Sequence, residues 1–212
     1  MNIARRTIVL MNGFLKSYGP TSIKKVLWDK EFSGTKWDFI DDTAGDCVYP
    51  HLEKYSQNGS ILDLGCGPGN TANELSITAY RSYLGVDISE AALAKASRRT
   101  EENGRSDKNR FEQSDIISYV PSQQFDVILF RESLYHVPIN KIKALLDRYS
   151  KYLTTGGVFI VRLGISDGKD GEAKKRPKAM VEVIESEFEV VEKSEYGKSR
   201  QTVIVFRSAA PS

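Results

Sequence analysis

Short apolar runs alternate with helical patterns through the central part of the chain. The runs that are typical of buried strands lie near residues 60–64, 83–87, 110–113, 126–130 and 157–163. Segments with helical spacing or strong helix formers separate them, near residues 71–77, 89–103 and 138–149. Regular alternation of this kind predicts parallel strands in one sheet, with helices packed on both faces.

The end of the chain breaks this alternation. Residues 187–193 and 201–206 are rich in β-branched residues or alternate apolar with polar, and a turn containing Gly197 separates them. Two such runs predict a terminal β-hairpin. The predicted fold class is α/β: a Rossmann-like, doubly wound, seven-stranded and mostly parallel sheet that ends in an antiparallel hairpin strand.

The first part of the chain has a different character. Residues 1–57 are polar, aromatic and irregular, with helical pieces near 23–28 and 48–55. They predict a helical extension or lid, and residues 58–208 predict the main domain, the two forming a single structural domain overall. Two Trp-Asp pairs stand out in the extension, Trp28-Asp29 and Trp37-Asp38. Either they pack the extension onto the sheet, or they line a pocket.

Composition narrows the class of protein. The 212 residues are 40% hydrophobic and 27% charged, which is ordinary for a water-soluble globular domain. The net charge of +2 is too small to indicate nucleic acid, and no apolar run approaches a membrane span. Two cysteines, Cys47 and Cys66, are too few for a disulfide framework, and we expect both to be reduced in a cytoplasm. The basic and apolar N-terminus lacks a convincing cleavage site, so we expect no signal peptide. Two histidines and no Cys-x-x-Cys pair predict no metal site.

The most informative stretch is Ile61-Leu62-Asp63-Leu64-Gly65-Cys66-Gly67-Pro68-Gly69-Asn70. It predicts a buried strand, a tight glycine turn and the start of a helix, whose free N–H groups suit a ligand. About 20 residues further on, Asp87 ends the next strand, where a carboxylate can accept the hydroxyl groups of a ribose. Each feature is weak alone, since Asp87 could also belong to a helix N-terminus, but the two support each other.

The glycine spacing departs from the dinucleotide pattern G-x-G-x-x-G and instead resembles motif I of the class I S-adenosylmethionine-dependent methyltransferases. The resemblance continues through Asp115, the strand at residues 125–130 and the segment 153–160, and so covers about residues 58–208. It implies S-adenosylmethionine as cofactor and S-adenosylhomocysteine as product. The implied cofactor-binding residues are Asp63, Gly65, Cys66, Gly67, Asp87, Ile88, Asp115, Ile116, Arg131 and Trp37.

The acceptor side is predicted to follow the fourth strand. Arg131-Glu132-Ser133-Leu134-Tyr135-His136 lacks the Asn/Asp-Pro-Pro-aromatic motif of many base and amide methyltransferases and resembles the loops of small-molecule enzymes. The Trp-Asp pairs also resemble segments of small-molecule enzymes of the thiopurine type. The best candidate for a general base is His136, helped by Tyr135 and Glu132, and the alternative interpretation is a structural histidine satisfied by backbone or water.

Alternatives to a small-molecule methyltransferase follow from other features. The basic run at residues 174–178 could contact RNA, but we favour a solvated loop and the first turn of a helix, because no stacking aromatic residues accompany the charges. An RNA or protein methyltransferase is therefore the second hypothesis, and a non-catalytic cofactor-binding module is the third. A nicotinamide dehydrogenase is disfavoured by the glycine spacing and the terminal hairpin.

Overall fold

The computed structural model describes residues 3–34, 43–164, 171–197 and 201–208, the side chains of residues 3–7, 9, 10 and 171–175 excepted. The described helices are α1 Ile3–Tyr18, α2 Thr21–Phe32, α3 Tyr49–Ser56, α4 Asn70–Glu74, α5 Glu90–Glu102, α6 Ile139–Ser150 and α7 Gly171–Glu187. The described strands are β1 Gly59–Leu64, β2 Tyr80–Asp87, β3 Asn109–Gln113, β4 Phe125–Arg131, β5 Leu153–Gly164, β6 Phe188–Tyr196 and β7 Gln201–Ser208.

These strands form one sheet in the order β3-β2-β1-β4-β5-β7-β6. Strands β1 to β5 are parallel, and β7 lies antiparallel between β5 and β6. The α/β class, the seven strands and the terminal hairpin are therefore confirmed. Since β1 is flanked by β2 and β4, the strand order reverses there, and a crevice opens beyond the carboxyl end of β1.

The core lies on both faces of the sheet. The central strands β1 and β4 are buried almost along their whole length, as parallel strands covered by helices must be. One face packs against α6 and α7 through residues such as Leu146 and Ile184, and the other packs against α3 through Leu52. This burial fixes the positions of the strand ends, and thereby the positions of the side chains that follow them.

Element bounds differ from the sequence predictions in two informative places. Helix α4 ends at Glu74, three residues before the predicted end, because Leu75 has an extended conformation with φ −58° and ψ 143°. Strand β5 begins at Leu153, four residues earlier than predicted, and pairs there with Phe125 of β4. Ser89 is the N-cap residue that precedes α5, and its Oγ accepts the N–H of Ala92 at 3.2 Å.

The helices before β1 are tied to the sheet domain by polar contacts. On α2, Asp29 accepts hydrogen bonds from the Ser89 hydroxyl at 2.8 Å and the Ala91 N–H at 3.3 Å. On α3, the His51 Nε2 lies 2.9 Å from the hydroxyl of Tyr196. Helix α2 therefore lies across the start of α5, next to the end of β2. None of the described helices is long and apolar enough to cross a membrane.

Candidate active site

The glycine turn after β1 has a left-handed backbone at three positions. Gly65, Gly67 and Gly69 have φ values of 83°, 54° and 75°, which side-chain-bearing residues rarely adopt. A Cβ on Gly65 would lie 2.4 Å from the Cβ of Ser133, so that position also requires a glycine for space. The turn thus brings bare backbone to the carboxyl end of β1, at the crevice in the sheet.

Asp87, at the end of β2, is joined directly to this turn. Its Oδ2 accepts the N–H of Gly67 at 2.9 Å, and its Oδ1 accepts the N–H of Ser89 at 2.9 Å. Burial raises the pKa of Asp87, although these backbone N–H groups oppose the rise by favouring the ionised form. The carboxylate therefore orders the turn in addition to facing the crevice.

Asp63 is the most deeply buried acidic group of the site. It is 1% exposed, and its Oδ2 accepts the hydroxyl of Tyr83 at 2.6 Å. Its Oδ1 has no hydrogen-bond partner among the described residues. Burial raises the pKa of Asp63 to about 6, partly offset by the Tyr83 hydroxyl and by the positive charge of Arg131.

A cavity of about 570 Å³ lies over the turn and the carboxyl ends of the strands. Every predicted site residue that the structure describes lines it: Asp63, Gly65, Cys66, Gly67, Asp87, Ile88, Asp115, Ile116, Arg131, Glu132, Tyr135 and His136. Trp37 lies outside the described residues. Helices α1 and α2 complete the wall with Lys16, Lys24, Trp28 and Phe32.

At the end of the cavity beyond β3, Asp115 is held from both sides. The backbone N–H of Ile117 donates to its Oδ1 at 3.0 Å, and Lys24 of α2 donates to its Oδ2 at 3.0 Å. The hydroxyl of Thr21 also donates to that oxygen, at 3.2 Å. The ion pair between Lys24 and Asp115 was not predicted, because the two residues are far apart in sequence and lie on different elements.

At the edge formed by β4 and β5, one carboxylate joins two arginines. Arg131 and Arg162 are register neighbours on the parallel strands, and both donate to Oδ2 of Asp46, at 2.8 and 2.9 Å. Burial alone would raise the pKa of Asp46, but the two guanidinium groups lower it overall. Arg162 also pairs with Glu132. The sequence suggested Arg131 alone, without Asp46 or Arg162.

The loop after β4 presents the three predicted catalytic side chains. Glu132 has a positive φ of 55°, which is unusual for a residue with a side chain. Tyr135 donates its hydroxyl to the carbonyl of Gly164 at 2.9 Å, and Glu132 pairs with Arg162. Both are therefore tied to β5, and no hydrogen bond joins either of them to His136 in the described part of the chain.

His136 instead lies against the helices before β1. Its ring meets the Trp28 ring edge-on, with the centroids 4.7 Å apart. Burial, with a smaller contribution from the nearby charge of Lys16, lowers the pKa of His136 to about 4. The expected pKa near 6.5 is thus corrected downward. The imidazole is neutral at pH 7, and it is a weaker base than an exposed histidine.

Among the residues that the structure describes, no group of three or more His, Cys, Asp or Glu side chains could hold a metal ion. The site consists of a glycine turn, two carboxylates at the ends of adjacent strands, an arginine pair and an aromatic wall.

Known proteins share both the motifs and the fold. Residues 61–157 match the family model described as "Methyltransferase domain". A trans-aconitate 2-methyltransferase of Variovorax paradoxus is 36% identical over 106 residues, which are 49% of this chain and 38% of that protein. A protein-lysine N-methyltransferase of Saccharomyces cerevisiae is 30% identical over 136 residues, which are 58% of this chain and 56% of that protein. The chain thus spans about half or less of these curated relatives.

A solved structure supports the same assignment for the fold. The N-methyltransferase NodS from Bradyrhizobium japonicum, in complex with S-adenosylhomocysteine, superposes with a TM-score of 0.66 and 16% identity. The match covers 88% of this chain and 98% of that one. Residues 61–157 thus match a methyltransferase domain model, and the fold around them is shared with this N-methyltransferase.

Proposed function

We propose that this protein transfers a methyl group from S-adenosylmethionine to a small-molecule acceptor. The observation that carries the proposal is the cradle formed by Gly65, Gly67 and Asp87 at the switch point of the sheet. Within the described residues, this cradle and the cavity above it bring together every motif residue that the family resemblance implied.

The residues fit the cofactor on three structural grounds. The glycine turn leaves open backbone at Gly67, where an added Cβ would find its nearest atom, of Phe32, 3.7 Å away. The buried Oδ1 of Asp63 lacks a donor, which suits an ammonium group. Asp87 keeps acceptor capacity on both oxygens beyond its backbone bonds, as ribose hydroxyls require. Asp115, Ile88 and Ile116 would border the adenine.

The sulfonium supplies an electrophilic methyl group, so the protein contributes mainly alignment, exclusion of water and, where needed, removal of a proton. The arginine pair and Asp46 would fix the sheet edge of the cavity, and α2 would exclude water from above. Neutral His136 belongs to the loop after β4 and lies against the Trp28 ring, and it is the proposed proton acceptor. Tyr135 and Glu132 would shape the loop.

The dimensions of the cavity favour a small acceptor over a macromolecule. A volume of about 570 Å³ is in the range of small-ligand pockets, and α1 and α2 wall it on the side away from the sheet. Transfer to a protein lysine or to RNA is the second candidate, because relatives include a protein-lysine methyltransferase and an mRNA cap methyltransferase.

The test is transfer of labelled methyl groups from S-adenosylmethionine into a cell extract that has been separated into small molecules, proteins and RNA. We expect label in the small-molecule fraction, together with formation of S-adenosylhomocysteine. Label confined to the protein or RNA fraction would instead establish the second candidate. Cofactor binding without any transfer would leave a binding module as the explanation.

A further inference from the structure

A lysine ammonium group occupies an aromatic corner of the cavity. Lys16 of α1 is 9% exposed, and its Nζ lies 3.8 Å from the centroid of the Trp28 ring. The same ammonium forms an ion pair with Glu31 of α2. Burial of an ammonium is costly unless a carboxylate and a π face replace its water, and this corner supplies both.

The corner belongs to the cavity and borders the proposed catalytic loop. Lys16, Trp28 and His136 all line the cavity. The Trp28 ring is stacked on Phe32, with centroids 5.9 Å apart, and meets His136 edge-on at 4.7 Å. These neighbours hold the indole face in place, so the corner is an organised cation site at the acceptor side of the cavity.

The charges around the cavity point to the same kind of ligand. Its lining includes five acidic residues, Asp46, Asp63, Asp87, Asp115 and Glu132, and four basic ones, Lys16, Lys24, Arg131 and Arg162. Withdrawal of Lys16 would increase the excess of carboxylates, which a cationic acceptor would offset and an anionic one would worsen. Arg176 is a further cation near His136, but it is not among the lining residues, and its Nη2 donates to the Val137 carbonyl.

We propose that Trp28, Glu31 and His136 form an ammonium subsite for an aliphatic amine acceptor, and that Lys16 fills this subsite in the free protein. The inference rests on the proposed methyltransferase function and names its acceptor class. The amine would bind as the ammonium ion and lose one proton to the neutral imidazole of His136, which passes it to solvent. Its nitrogen lone pair would then bond the methyl carbon, while the carbon–sulfur bond breaks and its electron pair remains on sulfur as a thioether.

The experiment titrates n-butylammonium against the full chain without cofactor and follows tryptophan fluorescence. Because the chain has two tryptophans, a Trp37→Phe background leaves Trp28 as the single reporter. Lys16→Met in this background removes the internal ammonium and keeps an apolar stem. We expect it to bind n-butylammonium roughly tenfold more tightly than the background does, the scale of a desolvated cation–π contact. Lys25→Met, which removes a lysine from the outer side of α2, is the matched control and should leave the titration unchanged.

Neutral n-butanol at equal ionic strength separates charge recognition from simple apolar binding. Equal binding of n-butanol and n-butylammonium by the Lys16→Met protein would overturn the proposal, as would equal n-butylammonium affinity with and without Lys16. Since these titrations contain no cofactor, absence of S-adenosylmethionine binding in a separate calorimetric run would refute the methyltransferase function without affecting their outcome.

A second measurement uses the unaltered protein, in case Lys16→Met does not fold. Limited acetylation followed by mass spectrometry reports how accessible each lysine is. We expect Lys16 to react more slowly than Lys25, and n-butyltrimethylammonium to speed acetylation of Lys16 while Lys25 stays the same. If that cation leaves Lys16 as protected as before, the subsite does not exchange its ammonium, and the proposal is wrong.

Discussion

Replacement of Asp63 by Asn should stabilise the fold and weaken cofactor binding at the same time. The carboxyl group is 1% exposed, its Oδ1 has no partner among the described residues, and burial raises its pKa to about 6. Folding at neutral pH therefore buries a charge that is only partly compensated. Asparagine has nearly the same shape, carries no charge and can still accept the hydroxyl of Tyr83 through its oxygen.

The magnitude follows from the difference in pKa between the folded and unfolded states. An unfolded aspartate titrates near pH 3.9, so a folded pKa of about 6 corresponds to roughly 3 kcal/mol of lost stability once both states are ionised. Below about pH 4, both states are protonated and no loss occurs. Stability should fall as pH rises from about 4 to 6 and then stay level, and Asp63→Asn should remove that fall. The amide N–H₂ needs an acceptor of its own, so the gain at pH 7.5 is at most about 3 kcal/mol.

Urea unfolding at pH 4 and pH 7.5 measures this directly, and calorimetry measures the accompanying loss of cofactor affinity. Asp126→Asn is the matched control with the opposite sign. Hydrogen bonds from Ser60 and Thr154 keep the pKa of Asp126 low overall, although burial opposes them. The stability that the Asp126 carboxylate contributes is present above the pKa of the unfolded state and is lost on acidification. Asp126→Asn should therefore be less stable than the parent at pH 7.5. If Asp63→Asn is less stable than the parent at pH 7.5, the account of the buried charge is refuted.

Three further predictions use the same turn and loop. Gly65→Ala should strongly lower the free energy of unfolding in urea, because the added Cβ would clash with Ser133. Gly104→Ala, at φ 63° with no atom within 4 Å of the added Cβ, should lower it by only about 1 kcal/mol, and equal losses would contradict the packing argument. Asp87→Ala should weaken cofactor affinity by roughly 1.5–3 kcal/mol and also lower the free energy of unfolding, since two buried backbone N–H groups lose their acceptor. If the variant binds the cofactor and unfolds like the parent, the role assigned to Asp87 is wrong. His136→Ala should slow single-turnover transfer by roughly 10²–10⁴-fold, and a loss below about fivefold would reject the base assignment. Because the pKa of His136 is about 4, the rate of the parent protein should show no histidine-dependent change between pH 5 and 8, and a change centred near pH 6.5 would contradict the lowered pKa.

The sheet, the glycine turn and the place of Asp87 could be predicted because local patterns specify them, whereas Asp115 and Ile116 were implied only by the family resemblance. Apolar runs with intervening helices determine a parallel sheet, and residues after parallel strands must meet at one edge. Asp63 follows from the pattern of β1 and Asp87 from that of β2, without knowledge of any distant contact. The left-handed backbone at Gly65 and Gly67 was likewise implied by their residue type.

The parts that escaped prediction depend on contacts between elements far apart in sequence. Asp46 joins Arg131 and Arg162 across three separate segments, and no local pattern signals that meeting. Lys24 reaches Asp115 only because α2 crosses the start of α5. Trp28 was recognised as noteworthy, but its aromaticity alone left core packing and pocket lining equally open. The pKa of His136 could not be foreseen, because burial by a distant helix sets it.

Isothermal titration calorimetry of the full chain with S-adenosylmethionine, S-adenosylhomocysteine and NAD tests the central claim most directly. The glycine turn and the carboxylate of Asp87 predict saturable binding of both sulfur nucleotides and no binding of NAD, with Asp87→Ala weakening the former. Binding of NAD, or failure of both sulfur nucleotides to bind the folded protein, would contradict the assignment of this cavity as a methyl-donor site.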